Sequence, residues 1–494
     1  MNWERMTGSR GALGDARPTM FAVLAFMLLA VGGGAAIALQ AHLVSAIVAS
    51  LGLLVIISGF LVGPNARIEW YLVLVGSLYI TLSILWPRYV AVWLPGLPSI
   101  NPPRIANMLF LVIILISIFG AKSVRDSIFA AAENSKIFFC FIFLYLIARI
   151  ASIGVSSDLA SSLYAVFNEF GVHAVCIIFG VVYGARYGVG GALTFAACVL
   201  FVMVVSIALF EAALGHNLFA RFVDPANSYV QWAISDKARG GGYRAQGTFG
   251  FPITLAEFVV VAFPLAVAGA LGIKRSVFLR YALVVAVVLL AGMGVYVSGS
   301  RSGYVGLLFV GMFAFFSLML RGALQGRVEI AHLILAIGLS LLVGVAAYFS
   351  VGYVYELSFG ALADRVSNSM RALMYEGALR WIVESPLLGF GPGGAIDKVG
   401  ISTASGQLTV DSHMISLMMD SGLLALSGYV GFFLSSLIIC WRKAMVISAD
   451  EWREYFFLSC AIVGFVPFFF ILSLPDNQFL MFFLLGAGVA VKRA

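Results

Sequence analysis

Apolar residues run through this chain in stretches the length of a membrane crossing, broken by short polar connections, from residue 19 to residue 491. A helix needs about 20 apolar residues to cross a hydrocarbon core of roughly 30 Å. On that criterion the pattern predicts spans at about 19–40, 43–62, 70–86, 107–121, 136–151, 172–184, 188–213, 252–272, 281–298, 303–320, 331–350, 413–441, 455–474 and 478–491. Several of these are short. The expected architecture is therefore an all-α, polytopic transmembrane bundle of about 12–14 spans, forming one integral membrane domain over residues 1–494. The first apolar run follows Arg5, Arg10 and Arg17, lacks a clear small-residue cleavage site and continues into a second span, which predicts a retained first helix.

Short loops on the cytoplasmic side of a membrane are enriched in Lys and Arg. With the N-terminus inside, Arg67, Lys122, Arg125, Arg186, Lys274, Arg275, Arg280, Arg321, Arg327, Arg442, Lys443, Lys492 and Arg493 all fall on that side, and both termini close inside. Arg88 and Arg104, in the Pro-rich stretch from Trp86 to Arg104, fall on the other side and point to a miscounted early span.

Composition narrows the class further. Of 494 residues, 62% are hydrophobic and 11% charged, and the mean hydropathy is +1.03. Soluble domains carry about 25% charged residues, so no soluble fold could hide this apolar surface. The net charge of +7 is first read as a record of membrane orientation rather than as a nucleic-acid footprint. Cys140, Cys176, Cys198, Cys440 and Cys460 lie inside apolar runs with no paired or metal-ligand spacing, and read as packing residues.

Two polar insertions interrupt the pattern, at about 214–251 and 351–412, and both land on the outer side. They are the expected sites of chemistry. The second is rich in apolar and aromatic residues, and its stretch Asn368–Val383 reads as an outer-face helix with Asn368 as N-cap, a Glu376/Arg380 pair at i,i+4 and Pro386 after its end.

Four groups of residues in and beside these loops are candidates. Arg301, within Ser298-Gly-Ser-Arg-Ser-Gly303, puts a guanidinium among small residues at the membrane boundary, where its planar fork suits a phosphate; a snorkelling interfacial arginine accounts for this segment equally well. Arg371 precedes Tyr375 by one helical turn, giving a phosphate contact beside a sugar-stacking ring, or else an ordinary solvated helix face. Asp411-Ser412-His413 stands where the long loop re-enters the membrane, and either titratable group could activate a hydroxyl, although Asp411 also reads as a helix cap. Arg244 marks the return of the first loop to the membrane and could contact a lipid headgroup or a sugar; His216, Asp224, Asp236 and Arg239 nearby have no metal spacing, and no metal is assigned.

Taken together, Ser300-Arg301, the run Arg371-x-x-x-Tyr375-x-x-Ala378-Leu379 with Pro386-Leu-Leu-Gly-Phe-Gly-Pro-Gly393, and Asp420-x-Gly422-Leu-Leu resemble the O-antigen ligase/polymerase superfamily in order and spacing, over roughly residues 240–440. Members are glycosyltransferases of the bacterial inner membrane that use sugars carried on undecaprenyl diphosphate. The resemblance implies a periplasm-facing site in which Arg301 and Arg371 hold the diphosphate leaving group while a base assists the acceptor hydroxyl, with inversion and without metal or cofactor. It also implies as partners a lipid-linked glycan donor, a glycan acceptor, membrane lipids, and a chain-length regulator and flippase of the same pathway.

Where the family usually has a His-Asn pair, this chain has Asp411-Ser412, with histidine two positions later at His413. The departure looks more like the exopolysaccharide and capsule polymerases than the ligases, so a repeat-unit polymerase is expected and an O-antigen ligase is the alternative. A transporter or flippase is the alternative from another class. Its polar groups would be expected near the membrane midplane, often with an internal repeat, whereas here they gather at the outer rim.

Overall fold

Hydrocarbon offers no hydrogen bonds, so a chain this apolar must satisfy its backbone within helices. The computed structural model describes residues 64–92, 100–223, 234, 242–273, 276–326, 362–402, 408–447, 451–471 and 477–492. The expected spans at 19–40, 43–62 and 331–350 lie outside these residues, as do Lys274, Arg275, Arg327, Asp224, Asp236 and Arg239.

The helices are α1 (Pro64–Leu85), α2 (Pro102–Gly120), α3 (Lys122–Asn134), α4 (Lys136–Ile153), α5 (Leu159–Tyr187), α6 (Ala192–Leu214), α7 (Pro252–Leu271), α8 (Val277–Ser298), α9 (Arg301–Leu324), α10 (Leu362–Trp381), α11 (Gly394–Val399), α12 (His413–Val446), α13 (Trp452–Val463), α14 (Val466–Phe469) and α15 (Gln478–Val489). Two short strands, β1 (Ile401–Ser402) and β2 (Leu408–Thr409), pair antiparallel with Ile401 opposite Thr409. Among the described residues, ten helical stretches are long and apolar enough to cross a membrane. The polytopic helical bundle expected from the apolar pattern is the observed fold.

The core is built on α7 and α15. Fifteen residues of α7 are buried, including Glu257, and all twelve residues of α15 are buried. At 1.5 Å per residue α15 reaches only about 18 Å, too short to cross a bilayer, and it is enclosed by other helices instead of lipid. Its close partner is α5. A Cβ on Gly180 would lie 2.1 Å from the Phe483 carbonyl oxygen, and one on Gly486 would lie 2.2 Å from that of Ile177, so these backbones touch directly. The aromatic residues Phe110, Phe179, Tyr183 and Phe483 fill in around this contact.

The two ends of the bundle are distinct. One end carries Lys122, Arg125, Arg186, Arg280, Arg321, Arg442, Lys443 and Lys492, and several of these are tied to helix C-termini. Arg125 Nη1 donates to the carbonyls of Ile118 and Phe119 at 3.1 and 2.8 Å, and Lys443 Nζ to those of Gly488 and Ala490 at 3.0 Å each. Arg321 donates to the carbonyls of Ala444, Met445 and Ile447, and its guanidinium lies 4.4 Å from the Trp452 ring centroid. The positive charge meets the negative end of each helix dipole.

Arg88 and Arg104 lie at the other end, with Arg244 and Arg301. Thr248, just before α7, donates to the Ile84 carbonyl at the close of α1, which fixes α1 as ending where α7 begins. α1 and α2 alternate as the apolar pattern required, and the two earlier expected spans, which the count also includes, lie outside the described residues. Arg88 sits at this end because its guanidinium lies 5.8 Å from the Phe479 ring centroid, and Tyr89 and Asn217 hydrogen-bond beside it.

Replacing Arg321 with Met keeps an apolar stem but strands three carbonyl groups. This is expected to cost about 2–3 kcal/mol, read as a lowered thermal unfolding midpoint in detergent; an unchanged midpoint would mean that the α12 terminus finds other partners.

Candidate functional site

The helix α12 is too long for a membrane. Its residues span about 51 Å at helical rise, against a core of roughly 30 Å. The excess is used at Gly422, where the backbone leaves the helical region for φ 72 and ψ −175 and separates a first segment, His413–Ser421, from the spanning part. Breaking a helix frees backbone groups, and the loop following α10 takes them up. Leu423 N–H donates to the Pro386 carbonyl at 2.8 Å, and Phe390 N–H to the Met419 carbonyl at 2.8 Å. The fit is close enough that a Cβ on Gly422 would lie 2.1 Å from the Leu387 carbonyl oxygen, and one on Gly389 (φ 66) would lie 2.4 Å from that of Met419. Only glycine combines these angles with that approach.

Around this junction α10, α11, the hairpin and the first segment of α12 form a lobe with its own small core of Met374, Ala378, Ile382, Ala395, Val399, Val410, Ile415 and Met419. The helix expected over Asn368–Val383 is present, but it begins at Leu362, so Asn368 lies within it and does not cap it. Arg380 and Glu376 pair on its exposed face as expected. The lobe leans on the first turn of α5, where Ser162 Oγ donates to the Pro392 carbonyl at 2.7 Å.

The residues expected to carry chemistry gather at this end. Ser412, not Asp411, caps α12: its Oγ accepts from Ile415 N–H at 3.4 Å. The cap leaves Asp411 beside the hairpin, where Thr409 Oγ1 donates to its carboxylate at 3.1 Å. His413 has its ring 4.9 Å from that of Tyr429 and 6.3 Å from that of Phe469, and Gln478 Nε2 lies 3.1 Å from His413 Nε2. Tyr375 donates to the Phe470 carbonyl at 2.9 Å and to Ser412 Oγ at 3.3 Å, which locks α10 to both the cap and the turn after α14. One helical turn before it, Arg371 is half-buried.

Arg301 is the first residue of α9, also half-buried, next to a Ser300–Ser302 hydroxyl pair 2.8 Å apart. About one and a half turns further along, α9 packs on α14: a Cβ on Gly306 would be 3.3 Å from Phe468. The helices bearing Arg301 and Arg371 therefore rest on the same short segment, Val466–Phe470. Arg244 joins the Arg301 side, donating from Nε to the Ser298 carbonyl at 3.0 Å, while Ala245 N–H donates to that of Val297 at 2.9 Å. Among the described residues no cluster of three or more His, Cys, Asp or Glu has metal-binding geometry.

The sequence reading passed over a buried polar network beneath the lobe. Arg149, on α4, makes a two-pronged contact with Glu169 of α5 and donates to Ser421 Oγ at 2.7 Å. Asp420 is buried beside it, accepting from Ala395 N–H at 2.9 Å. Behind His413, the His173 ring stacks on Phe482 at 4.1 Å. A signal was available, since an ionisable residue inside an apolar run, as Arg149 is, points to a functional or pairing role by default.

Residues 285–430 match the protein-family model described as Wzy_C: O-Antigen ligase. The match begins within α8 and ends within α12, so it takes in Arg301, the lobe, Asp411 to His413 and the Gly422 break. The resemblance to the O-antigen ligase/polymerase superfamily is thereby shown, and at this level the region is of a glycosyltransferase-like ligase or polymerase type. No curated protein matches the chain.

Replacing Gly422 with Ala forces a side chain into the left-handed region and against the Leu387 carbonyl. The strained angle alone should cost about 1–3 kcal/mol, and the lobe should detach before the bundle unfolds. Limited trypsin digestion would show faster cleavage at Arg371, Arg380 and Lys398; an unaltered digestion pattern would mean that the lobe is held by other contacts.

Proposed function

We propose that this multi-pass membrane protein with an O-antigen ligase region is a polysaccharide polymerase. In this reading it joins undecaprenyl-diphosphate-linked repeat units at the periplasmic face of the bacterial inner membrane, by inverting glycosyl transfer that needs no metal. The observation that carries the reading is the sharing of one support, Val466–Phe470, by the helices that begin with Arg301 and bear Arg371, with Asp411 and His413 at the same end.

The chemistry follows from that grouping. The bond between the anomeric carbon and the diphosphate breaks, and the electron pair leaves with the phosphate oxygen. Two fixed guanidinium groups at the leaving group stabilise that developing charge more than they stabilise the ground state, because they need not reorganise as it forms. Each presents a planar fork suited to phosphate oxygens. Arg244, held at the Ser298 carbonyl beside Arg301, adds a further donor for the diphosphate or first sugar, and the Tyr375 ring offers a face for a sugar. The acceptor hydroxyl attacks from the opposite side of the ring and loses its proton to a carboxylate or imidazole. Asp411, beside the hairpin, is the group that a hydrophilic acceptor meets first; His413 sits among Tyr429, Phe469 and Gln478 and takes the proton if Asp411 does not.

A polymerase is favoured over a ligase by Asp411-Ser412, which stands in place of the family's usual His-Asn pair, whose histidine the ligases share. The donor is a lipid-linked oligosaccharide repeat and the acceptor a growing glycan, with a chain-length regulator and a flippase acting in the same pathway.

Arg301→Ala and Arg371→Ala should each abolish polymer in cells while leaving the protein at normal abundance, and single repeats should accumulate on the carrier lipid. Full polymer from either variant would remove the diphosphate clamp, whereas long chains stranded on the lipid would identify a ligase. Asp411→Asn and His413→Ala, assayed side by side, separate the two acceptor bases: the variant that loses its turnover, by about 100-fold or more, marks the group that takes the proton.

A further inference from the structure

The most deeply buried cation among the described residues takes no part in the reaction just set out. Arg149 is 2% exposed, inside the apolar helix α4, and such a group is retained only where it is fully engaged. Its Nε donates to Glu169 Oε2 at 3.0 Å and its Nη2 to Glu169 Oε1; its Nη1 donates to Ser421 Oγ at 2.7 Å and lies 3.9 Å from Asp420 Oδ2. Ser152, one turn along α4, puts its hydroxyl 2.8 Å from Ser421 Oγ. Ser421 and Asp420 are the last two residues before the Gly422 break, and Asp420 in turn holds the Ala395 amide of the lobe. The path from α4 and α5 into the lobe is thus a chain of directional bonds, ending in a left-handed glycine.

We propose that Arg149 and Glu169 are positioning residues for glycosyl transfer: they fix the angle at which the lobe bearing Arg371 and Asp411 faces Arg301. Both lie outside residues 285–430, on helices that the apolar pattern alone would assign to the scaffold. An apolar cluster would pack this junction as well or better, since buried ion pairs contribute little net stability. What directional bonds add is a single register, because each donor has one acceptor in one orientation. A site that must bring two arginines to one diphosphate needs such a register, as small displacements cost rate steeply. This inference rests on the polymerase reading for its catalytic half only.

Two measurements on full-length protein in nanodiscs test it, using Arg149→Lys, which keeps the charge but not the fork, Glu169→Gln, which keeps the shape, and Ser421→Ala. Amide hydrogen exchange at Phe390, Ala395 and Leu423 should quicken by about tenfold or more in Arg149→Lys and Glu169→Gln, with amides near the Arg321-capped end unchanged. With lipid-linked repeat units as substrate, kcat should fall by about 100-fold with KM for the donor unchanged, and Ser421→Ala should fall between wild type and these variants. Unchanged exchange at these three junction amides, or wild-type kcat in both Arg149→Lys and Glu169→Gln, would overturn the proposal. Glu169→Gln is the milder change at a partly exposed carboxylate, so it keeps the test open if Arg149→Lys does not fold. The exchange comparison needs no substrate, so a wild type that made no polymer would count against the reaction and not against the anchoring.

Discussion

A membrane helix that stops being helical exposes N–H and C=O groups that lipid cannot satisfy, and the lobe-bearing end of this protein is organised around one such break. At Gly422 the freed groups are taken up by the loop after α10, through Leu423 to Pro386 and Phe390 to Met419. That junction decides where the lobe sits, and the lobe holds Arg371, Tyr375 and Asp411. The spanning part of α12 beyond the break, Leu423–Val446, reaches about 36 Å, enough to cross the core without the first segment. The first segment can therefore belong to the lobe, with Ser412 capping it and Tyr375 bonding to the cap.

The cations of the chain divide between two tasks according to the end at which they lie. At the Arg321 end they meet helix C-termini, where loose carbonyls and the helix dipole both favour positive charge. At the other end lie Arg88, Arg104, Arg244, Arg301 and Arg371, which in the orientation expected from the loop charges stand against the usual bias that keeps Lys and Arg on the cytoplasmic side. Departures from that bias need a local cause. Arg244 is bound to the Ser298 carbonyl and Arg88 lies over the Phe479 ring, next to the glutamine that contacts His413.

Much of the fold was legible because hydropathy and length speak directly to membrane crossing. Most described spans appear where apolar runs predicted them, whereas α15, expected as a span at 478–491, is too short to cross. What escaped detection was polar structure inside apolar helices. The helix α5 begins at Leu159 and not near residue 172, because Ser161, Ser162, Asn168 and Glu169 interrupt its apolar run; Glu169 is one of the residues that bind Arg149. Likewise α10 was expected to start at Asn368, a residue type common at caps, while the chain was already helical from Leu362. The motif residues Arg301, Arg371, Tyr375 and Asp411 were visible as residue types at loop boundaries. The shared support of α9 and α10 on Val466–Phe470 was not, since it joins segments distant in sequence.

The central claim is that this end of the bundle breaks a sugar–diphosphate bond instead of moving its substrate intact. Purified protein in nanodiscs, given lipid-linked repeat units with chelator present and no nucleotide, tests it directly by simultaneous measurement of glycan length and free undecaprenyl diphosphate. The account requires a ladder of lengthening glycan, with one diphosphate lipid released for each new glycosidic bond. Repeat units recovered unchanged on their lipid, with no diphosphate set free, would contradict it.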